Sequence, residues 1–202
     1  MIYNVNMRIQ NNENIIIDEE SALAAVIIPM IKVDGEDSIL FEVRSSALPD
    51  QPGDVCLPGG IIEEGETAQE AAVRETCEEL CIDKLHISEV TPAKVFHAPS
   101  ITMFPFFAKI NHYDFTFSED EVSEVFTVPL SFFENTKPEK HMVEWQRTPG
   151  EDFPYDKIVG GRNYKWRKQL QAELFYEYNG HVIWGITAKI IYYNLRKGKN
   201  EK

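Results

Sequence analysis

Basic residues are scarce in this chain of 202 residues: 20 lysines and arginines stand against 33 aspartates and glutamates, and the net charge is −13. Nucleic acids are bound mainly through Lys and Arg contacts to phosphate, so we expect no nucleic-acid partner. An acidic protein can still bind a polyanionic small molecule when bound cations or a local cluster of basic residues reverse the charge at the site.

Long apolar runs are also lacking. No stretch contains the roughly 18 consecutive apolar residues that a membrane-spanning helix needs, and residues 1–12 lack the apolar core and cleavage site of a signal peptide. The three cysteines, at positions 56, 77 and 81, do not have the spacing of a disulfide framework. Cys77 and Cys81 have no matching His or Cys pair at zinc-site spacing, so packing is their favoured role. We therefore expect no membrane association and a reduced, cytoplasmic location.

The hydrophobic pattern mixes strands and helices without the strict alternation of a doubly wound sheet. This favours an α+β fold, which we expect to form a single domain over residues 1–202. Strands are predicted at 22–33, 38–43, 85–95, 101–110 and 125–130, with a turn at 34–37 and an acidic loop at 118–124. Helices are predicted at 67–80 and from about 184 to 197.

The predicted helix at 67–80 carries the most informative pattern. Thr67 and Glu70 have the spacing of a capping box. Glu75, Glu78 and Glu79 stand at i, i+3 and i+4, so their carboxylates share one face. The opposite, apolar face is assigned to Val73, Thr76, Cys77 and Leu80. A group of hard oxygen ligands is what Mg²⁺ or Mn²⁺ requires, but for the helix alone a solvated acidic face is the favoured explanation.

The loop before this helix changes that weighting, because Gly59 and Gly60 permit a tight backbone bend. From position 60 to position 82 the chain resembles the Nudix box, Gly-x5-Glu-x7-Arg-Glu-U-x-Glu-Glu-x-Gly-U, in which U is a bulky aliphatic residue. The matching positions are Gly60, Glu66, Arg74, Glu75, Glu78 and Glu79. Thr76 replaces an aliphatic residue and Cys81 a glycine, which puts the end of the helix in question rather than the carboxylates. Arg74 lies four residues from both Glu70 and Glu78, and we expect it to orient the cluster.

The resemblance implies a Nudix fold, a mixed β-sheet sandwiched between α-helices, and a hydrolase of nucleoside diphosphate derivatives. It implies Mg²⁺ or Mn²⁺ as cofactor, bound by Glu75, Glu78 and Glu79. Glu75 and Glu78 are the catalytic candidates inside the box. The general base of this superfamily is not always there, so Glu121 and Glu124 in the acidic loop are outside candidates, with a solvated loop as the alternative. The resemblance to this family also suggests a homodimer.

A second resemblance covers residues 40–60. The coenzyme A pyrophosphatase branch of Nudix enzymes carries Leu-Leu-Thr-x-Arg-Ser, three residues, Arg, three residues, Gly, three residues and Phe-Pro-Gly-Gly. This chain keeps the register and matches at Arg44, Ser45, Gly53, Pro58, Gly59 and Gly60, and it departs at Glu42, Pro49 and Leu57. Residues 182–188 are similar to the start of the last helix in that branch.

This second resemblance implies hydrolysis of coenzyme A or its thioesters to 3′,5′-ADP and 4′-phosphopantetheine or the acylated form. The expected substrate-binding residues are Arg44, Ser45, Gly59 and Gly60, since the phosphates of coenzyme A require cations and close backbone approach. Two alternatives stay open. One is another Nudix specificity, such as ADP-ribose, a dinucleotide or a nucleoside triphosphate. The other is a ligand-sensing Nudix-like domain without catalysis, although such domains usually lose box glutamates that are all present here.

Overall fold

A computed structural model describes residues 21–98 and 100–196 of the chain. The strands in these residues are β1 Ala22–Val33, β2 Glu36–Arg44, β3 Val55–Cys56, β4 Gly59–Ile61, β5 Ile87–Pro92, β6 Phe96–Ala98, β7 Ile101–Ile110, β8 Val122–Pro129, β9 Glu139–Trp145, β10 Gln169–Tyr178 and β11 His181–Trp184. The α-helices are α1 Ala68–Glu79, α2 Leu130–Asn135 and α3 Gly185–Leu195. Residues 1–12 and residue 197, on which two of the predictions fall, lie outside the described residues. No helix in the described ranges has both the length and the apolar character to cross a membrane.

The first two strands form a hairpin at the predicted turn. Asp34 and Gly35 both have positive φ angles, 50° and 85°, as a type I′ turn requires. Pairing starts directly after this turn, with Val33 opposite Glu36. Strand β2 therefore begins at Glu36, two residues before the predicted start, while β1 has the predicted bounds.

Eight strands form one sheet, and this sheet is mixed, as predicted. The order along the sheet is β3-β2-β1-β7-β5, with β4 also paired to β1, β6 to β7 and β8 to β2. Strands β1 and β7 run parallel, and the other pairings are antiparallel. Strands β9, β10 and β11 form a second, antiparallel sheet.

Helices cover both faces of the mixed sheet. On one face, Ala71 and Ala72 of α1 pack against Ala25 and Ile27 of β1. On the other face, α3 packs with residues of β1, β2 and β10 in the largest apolar cluster. This arrangement confirms the predicted Nudix fold class, a mixed sheet between helices.

Two further predicted boundaries are wrong. The segment predicted as a strand at 85–95 begins with a 3₁₀ turn at Lys84–His86, and β5 covers only Ile87–Pro92. The predicted loop at 118–124 ends earlier, because β8 starts at Val122 to pair with the end of β2. Glu124 therefore lies in a strand, opposite Val43.

The helix α1 has its predicted bounds and cap but a different buried face. Thr67 is the N-cap and forms the capping box with Glu70. The buried side chains are Ala71, Ala72, Thr76 and Glu79, with Leu80 at the C-cap, whereas Val73 and Cys77 are only partly buried. Thr76 and Leu80 are buried as predicted, and Val73 packs against the apolar cluster. The predicted separation of an acidic from an apolar face is wrong, because Glu79 is buried together with Thr76. Small alanines let the helix axis approach the sheet closely.

The helix ends where the Nudix box requires, although the box glycine is absent. Cys81 adopts the left-handed conformation with φ of 52°, and the next amide, of Ile82, donates to the carbonyl of Cys77 at 3.1 Å. These are features of the usual glycine-terminated cap. A non-glycine residue pays about 1–2 kcal/mol for this conformation, so Cys81 costs stability without changing the path of the chain.

Candidate active site

Arg74 ties the loop before α1 to the acidic face of the helix. Its Nε and Nη2 donate to the two carboxylate oxygens of Glu66 at 3.2 and 2.8 Å. Its Nη1 donates to Glu75 at 2.8 Å and to Glu78 at 3.2 Å, and Nη2 also donates to the carbonyl of Ile61 at 3.3 Å. The forked bond from Arg74 lowers the pKa of the Glu66 carboxyl. Arg74 therefore contacts Glu78 as predicted, and it also bonds to Glu66 and Glu75.

The predicted contact between Arg74 and Glu70 is not made. Glu70 instead accepts hydrogen bonds from the backbone amide and the hydroxyl of Thr67, both at 2.8 Å. The capping box uses this carboxylate at the start of the helix, so it is directed away from the arginine.

Glu79 is the most deeply buried glutamate of the box, with 6% of its surface exposed. Its Oε2 accepts a hydrogen bond of 2.7 Å from the backbone amide of Gly59. Burial, followed by the charge of Glu42, raises the pKa of the Glu79 carboxyl. The helix thus presents to the sheet a carboxyl group that is costly to ionise unless a positive group accompanies it.

Glu75 lies against the backbone of the glycine pair. A Cβ atom added to Gly60 would lie 2.5 Å from the Glu75 carboxylate, so a glycine is required there for the helix and loop to meet. Burial is the main cause that raises the pKa of Glu75, and the bond from Arg74 opposes it. Glu78 is more exposed, with 58% of its side chain accessible.

Glu121 and Glu124, the two candidate general bases outside the box, lie in different environments. Glu121 lies just before β8, and its negative charge contributes to raising the pKa values of Glu42, Glu75 and Glu79. Glu124 instead accepts from the imidazole Nε2 of His181 at 3.1 Å. Of the two, Glu121 is electrostatically coupled to the box carboxylates, and its catalytic role stays a prediction.

Arg44 and Gly59 line one pocket between the sheet and the start of α3. The other polar groups of its wall come from Gln51, Asp54 and Thr187, and Trp184 lies at its side. The Nε of Arg44 donates to the carbonyl of Asp50 at 3.2 Å, which fixes the side chain at the end of β2. Gly59 and the guanidinium of Arg44 thus line one cavity next to the box.

Ser45 has a different environment. Its side chain is buried, and the hydroxyl accepts from the amide of Ala47 at 3.4 Å, while its own amide donates to the carbonyl of Glu121 at 2.8 Å. These contacts shape the loop after β2 and join it to the segment that carries Glu121. The predicted contact of Ser45 with substrate stays a prediction.

A known protein family matches the part of the chain that forms this site. The NUDIX domain family matches residues 21–162, which includes the glycine turn, helix α1 and the loop of Glu121. The chain belongs to the Nudix family. The predicted resemblance is therefore confirmed at the level of the family.

Three relatives of this Nudix chain have informative names. Nudix hydrolase 3 of Caenorhabditis elegans is 34% identical over 119 residues, which are 56% of this chain and 49% of the relative. A mitochondrial coenzyme A diphosphatase of Homo sapiens is 27% identical over 182 residues, 87% of this chain and 69% of the relative. A peroxisomal coenzyme A diphosphatase of Mus musculus is 31% identical over 133 residues, 64% of this chain and 55% of the relative. The chain spans about half the length of the first and third of these proteins.

The donor set of the Nudix box fits a hard divalent cation. Glu75 and Glu79 supply carboxylate oxygens, and the pKa of each is raised by burial, so a bound cation would favour their charged forms. In the described part of the chain, no three acidic, His or Cys side chains already stand at metal-binding separations. Arg74 occupies an oxygen of Glu75 and one of Glu78, so binding through those oxygens requires this side chain to shift.

Two residues of the site escaped the sequence analysis. Glu42 is buried in β2, with 1% of its surface exposed, and Cys56 of β3 donates to its Oε1 at 3.3 Å. Burial keeps the pKa of the Cys56 thiol above its usual range, so it remains a donor. The available signal was a charged residue in an otherwise apolar strand, at a position where the coenzyme A branch carries threonine.

Proposed function

We propose that this Nudix domain hydrolyses the diphosphate bond of coenzyme A or an acyl-coenzyme A, giving 3′,5′-ADP and 4′-phosphopantetheine or its acylated form. The observation that carries the proposal is the shared pocket of Arg44 and Gly59. The Gly59 amide is bonded to Glu79, so a ligand in this pocket lies beside the box. The names of two relatives, both coenzyme A diphosphatases, support the same substrate.

The proposed cofactor is Mg²⁺ or Mn²⁺, bound by Glu75 and Glu79 with Glu78 at the exposed edge. When bound there, the cation supplies positive charge that neutralises diphosphate oxygens and makes a nearby water more acidic. Arg74 keeps its forked bond to Glu66, while its bonds to Glu75 and Glu78 are released where those oxygens bind the cation. Glu75 or Glu121 accepts the proton of the attacking water in this proposal.

Substrate recognition is assigned to Arg44 and the aromatic end of β11. A guanidinium binds phosphate through forked hydrogen bonds. The ring of Trp184 stacks on Phe175 with centroids 5.7 Å apart, and it is 40% exposed. Trp184, Asp54 and Val55 line both the Arg44 pocket and a neighbouring, wider one. Two adjoining pockets suit an extended ligand with a phosphate-rich end and an uncharged arm.

A substrate panel tests the proposal. The purified chain is incubated with Mg²⁺ or Mn²⁺ and with coenzyme A, an acyl-coenzyme A, ADP-ribose, a dinucleotide or a nucleoside triphosphate, and products are identified by mass spectrometry. We expect 3′,5′-ADP from the two coenzyme A substrates and no turnover in chelator. Intact coenzyme A beside cleaved ADP-ribose would reject the proposed substrate, and no turnover of any substrate would reject the catalytic proposal.

The assignment of Arg44 has its own test. Arg44→Ala should raise KM for coenzyme A about tenfold or more, because a forked charge-assisted bond contributes about 1.5–3 kcal/mol. Dephospho-coenzyme A, which lacks the 3′-phosphate, distinguishes the phosphate that Arg44 binds. Arg147→Ala is the control, since this exposed residue lines neither pocket. Equal KM values for the two variants would exclude Arg44 from the binding site.

A further inference from the structure

Glu42 places a fourth carboxylate next to the box from a different element. In strand β2 the side chains of Leu40 and Glu42 point to the face that α1 covers, since alternate residues share a face and Leu40 packs in the same cluster as Leu80. Glu42 is close enough to Glu79 that its charge contributes to raising the pKa of the Glu79 carboxyl. A strand and a helix thus present two carboxylates to each other.

One oxygen of Glu42 has no hydrogen-bond donor. Its Oε1 accepts from the thiol of Cys56, but Oε2 is buried and without a partner among the described residues. Arg44, the nearest cation on the same strand, directs its Nε to the carbonyl of Asp50. Within residues 21–98 and 100–196, neither Glu42 nor Glu79 forms an ion pair with Lys or Arg.

Two buried carboxylates without a cation are costly. An unpaired buried charge costs several kcal/mol, and facing acceptors repel each other. Such a pair avoids this cost in one of two ways: it holds a proton, or it binds a metal or another positive group. Hard divalent cations take carboxylate oxygens, whereas the neutral thiol of Cys56 suits them poorly and remains a donor that holds Glu42 in place.

We propose that Glu42 is an additional ligand of the divalent cation, which it binds together with Glu79. This inference rests on the proposed function in one respect, the presence of a cation at the box. It assigns a ligand outside the box motif, on the central hairpin of the sheet. It also gives a reason for glutamate at a position where the coenzyme A branch carries threonine: this site supplies one more negative charge to its cation.

Cation binding without substrate tests the proposal. Metal-free protein is titrated with Mn²⁺, and free Mn²⁺ is followed by electron paramagnetic resonance. Glu42→Gln, which keeps the shape but removes the charge, should weaken Mn²⁺ binding at least about tenfold. Glu42→Thr, with the residue of the related branch, should weaken it similarly. Glu64→Gln is the matched control, an exposed glutamate of the same box loop, and it should bind Mn²⁺ like the original chain.

Stability in chelator separates a ligand from a packing residue. Because Glu42→Gln removes a buried charge that repels Glu79, the metal-free variant should unfold at a temperature no lower than that of the original chain, and its Tm should rise less on Mn²⁺ addition. Unchanged Mn²⁺ affinity in either folded Glu42 variant would overturn the proposal. Failure of coenzyme A hydrolysis would reject the proposed function and leave this titration intact, since no substrate is present in it.

Discussion

Replacing Gly59 by alanine should damage both the fold and the site. Gly59 has a φ of 145°, and an added Cβ would overlap the carbonyl oxygen of Ala25 and lie 2.5 Å from the Cα of Val26. These are backbone atoms of β1, so no rotamer change relieves the overlap. Strand β4 would have to move by on the order of 1 Å. That movement would weaken the 2.7 Å bond from the Gly59 amide to Glu79.

The size of the effect follows from these two losses. Backbone strain of this kind costs about 1–3 kcal/mol, and a hydrogen bond to a charged group is worth about 1.5–3 kcal/mol. We therefore expect Gly59→Ala to lower the free energy of unfolding by about 2.5–6 kcal/mol. For a chain of this size the Tm should fall by roughly 5–24 °C. Urea unfolding followed by circular dichroism measures the change.

Gly65→Ala provides the matched control, in the turn that follows β4. Gly65 also has a positive φ, 92°, but an added Cβ would meet nothing within 4 Å. Only the conformational cost of about 1–2 kcal/mol remains. If Gly59→Ala lost no more unfolding free energy than Gly65→Ala, the close contact between β4 and β1 would not be what requires glycine, and the reasoning would fail.

Three further predictions concern the charges of the box. Glu79→Gln should lower hydrolysis at least about a hundredfold while circular dichroism shows an intact fold; unchanged turnover would contradict the assigned cation ligand. Arg74→Lys should lower the free energy of unfolding by about 1–2 kcal/mol in urea, because lysine cannot form the forked bond to Glu66; equal stability would show that the fork contributes nothing. In chelator, the free energy of unfolding should fall as pH rises above the ordinary carboxyl pKa of 4.5. Burial raises the pKa of Glu42 and of Glu79 in the folded protein. The unfolded chain therefore releases these protons at lower pH than the folded protein, and rising pH favours unfolding. Thermal unfolding between about pH 5 and 8 tests this, and a profile that rises with pH would contradict it.

Features set by local spacing could be predicted from the sequence. The cap of α1 at Thr67 and the shared acidic face of the helix follow from a periodicity of 3.6 residues within one element. The hairpin turn at Asp34 and Gly35 follows from the two residues that tolerate positive φ. The bounds of β1 and β7 were also predicted, because both strands are largely apolar and end at clear breaks.

Features set by packing between distant elements could not be predicted in this way. Glu42 and Glu79 are neighbours because Leu40 of β2 and Leu80 at the end of α1 share one apolar cluster, a contact that no local pattern encodes. The apolar face of α1 was assigned by hydrophobicity to Val73, Thr76, Cys77 and Leu80. The close approach to the sheet also buries Ala71, Ala72 and Glu79. Glu124 was placed in a loop, but pairing with β2 put it in a strand, where it bonds to His181.

The location of the cation tests the central claim most directly. Crystals grown with Mn²⁺ and a non-hydrolysable coenzyme A analogue would show the ion by its anomalous scattering. We predict one Mn²⁺ peak in contact with carboxylate oxygens of Glu75 and Glu79 and with an oxygen of the bound diphosphate. A diphosphate bound without Mn²⁺ at these glutamates, or an ion bound only elsewhere, such as beside Glu124 and His181, would contradict the account.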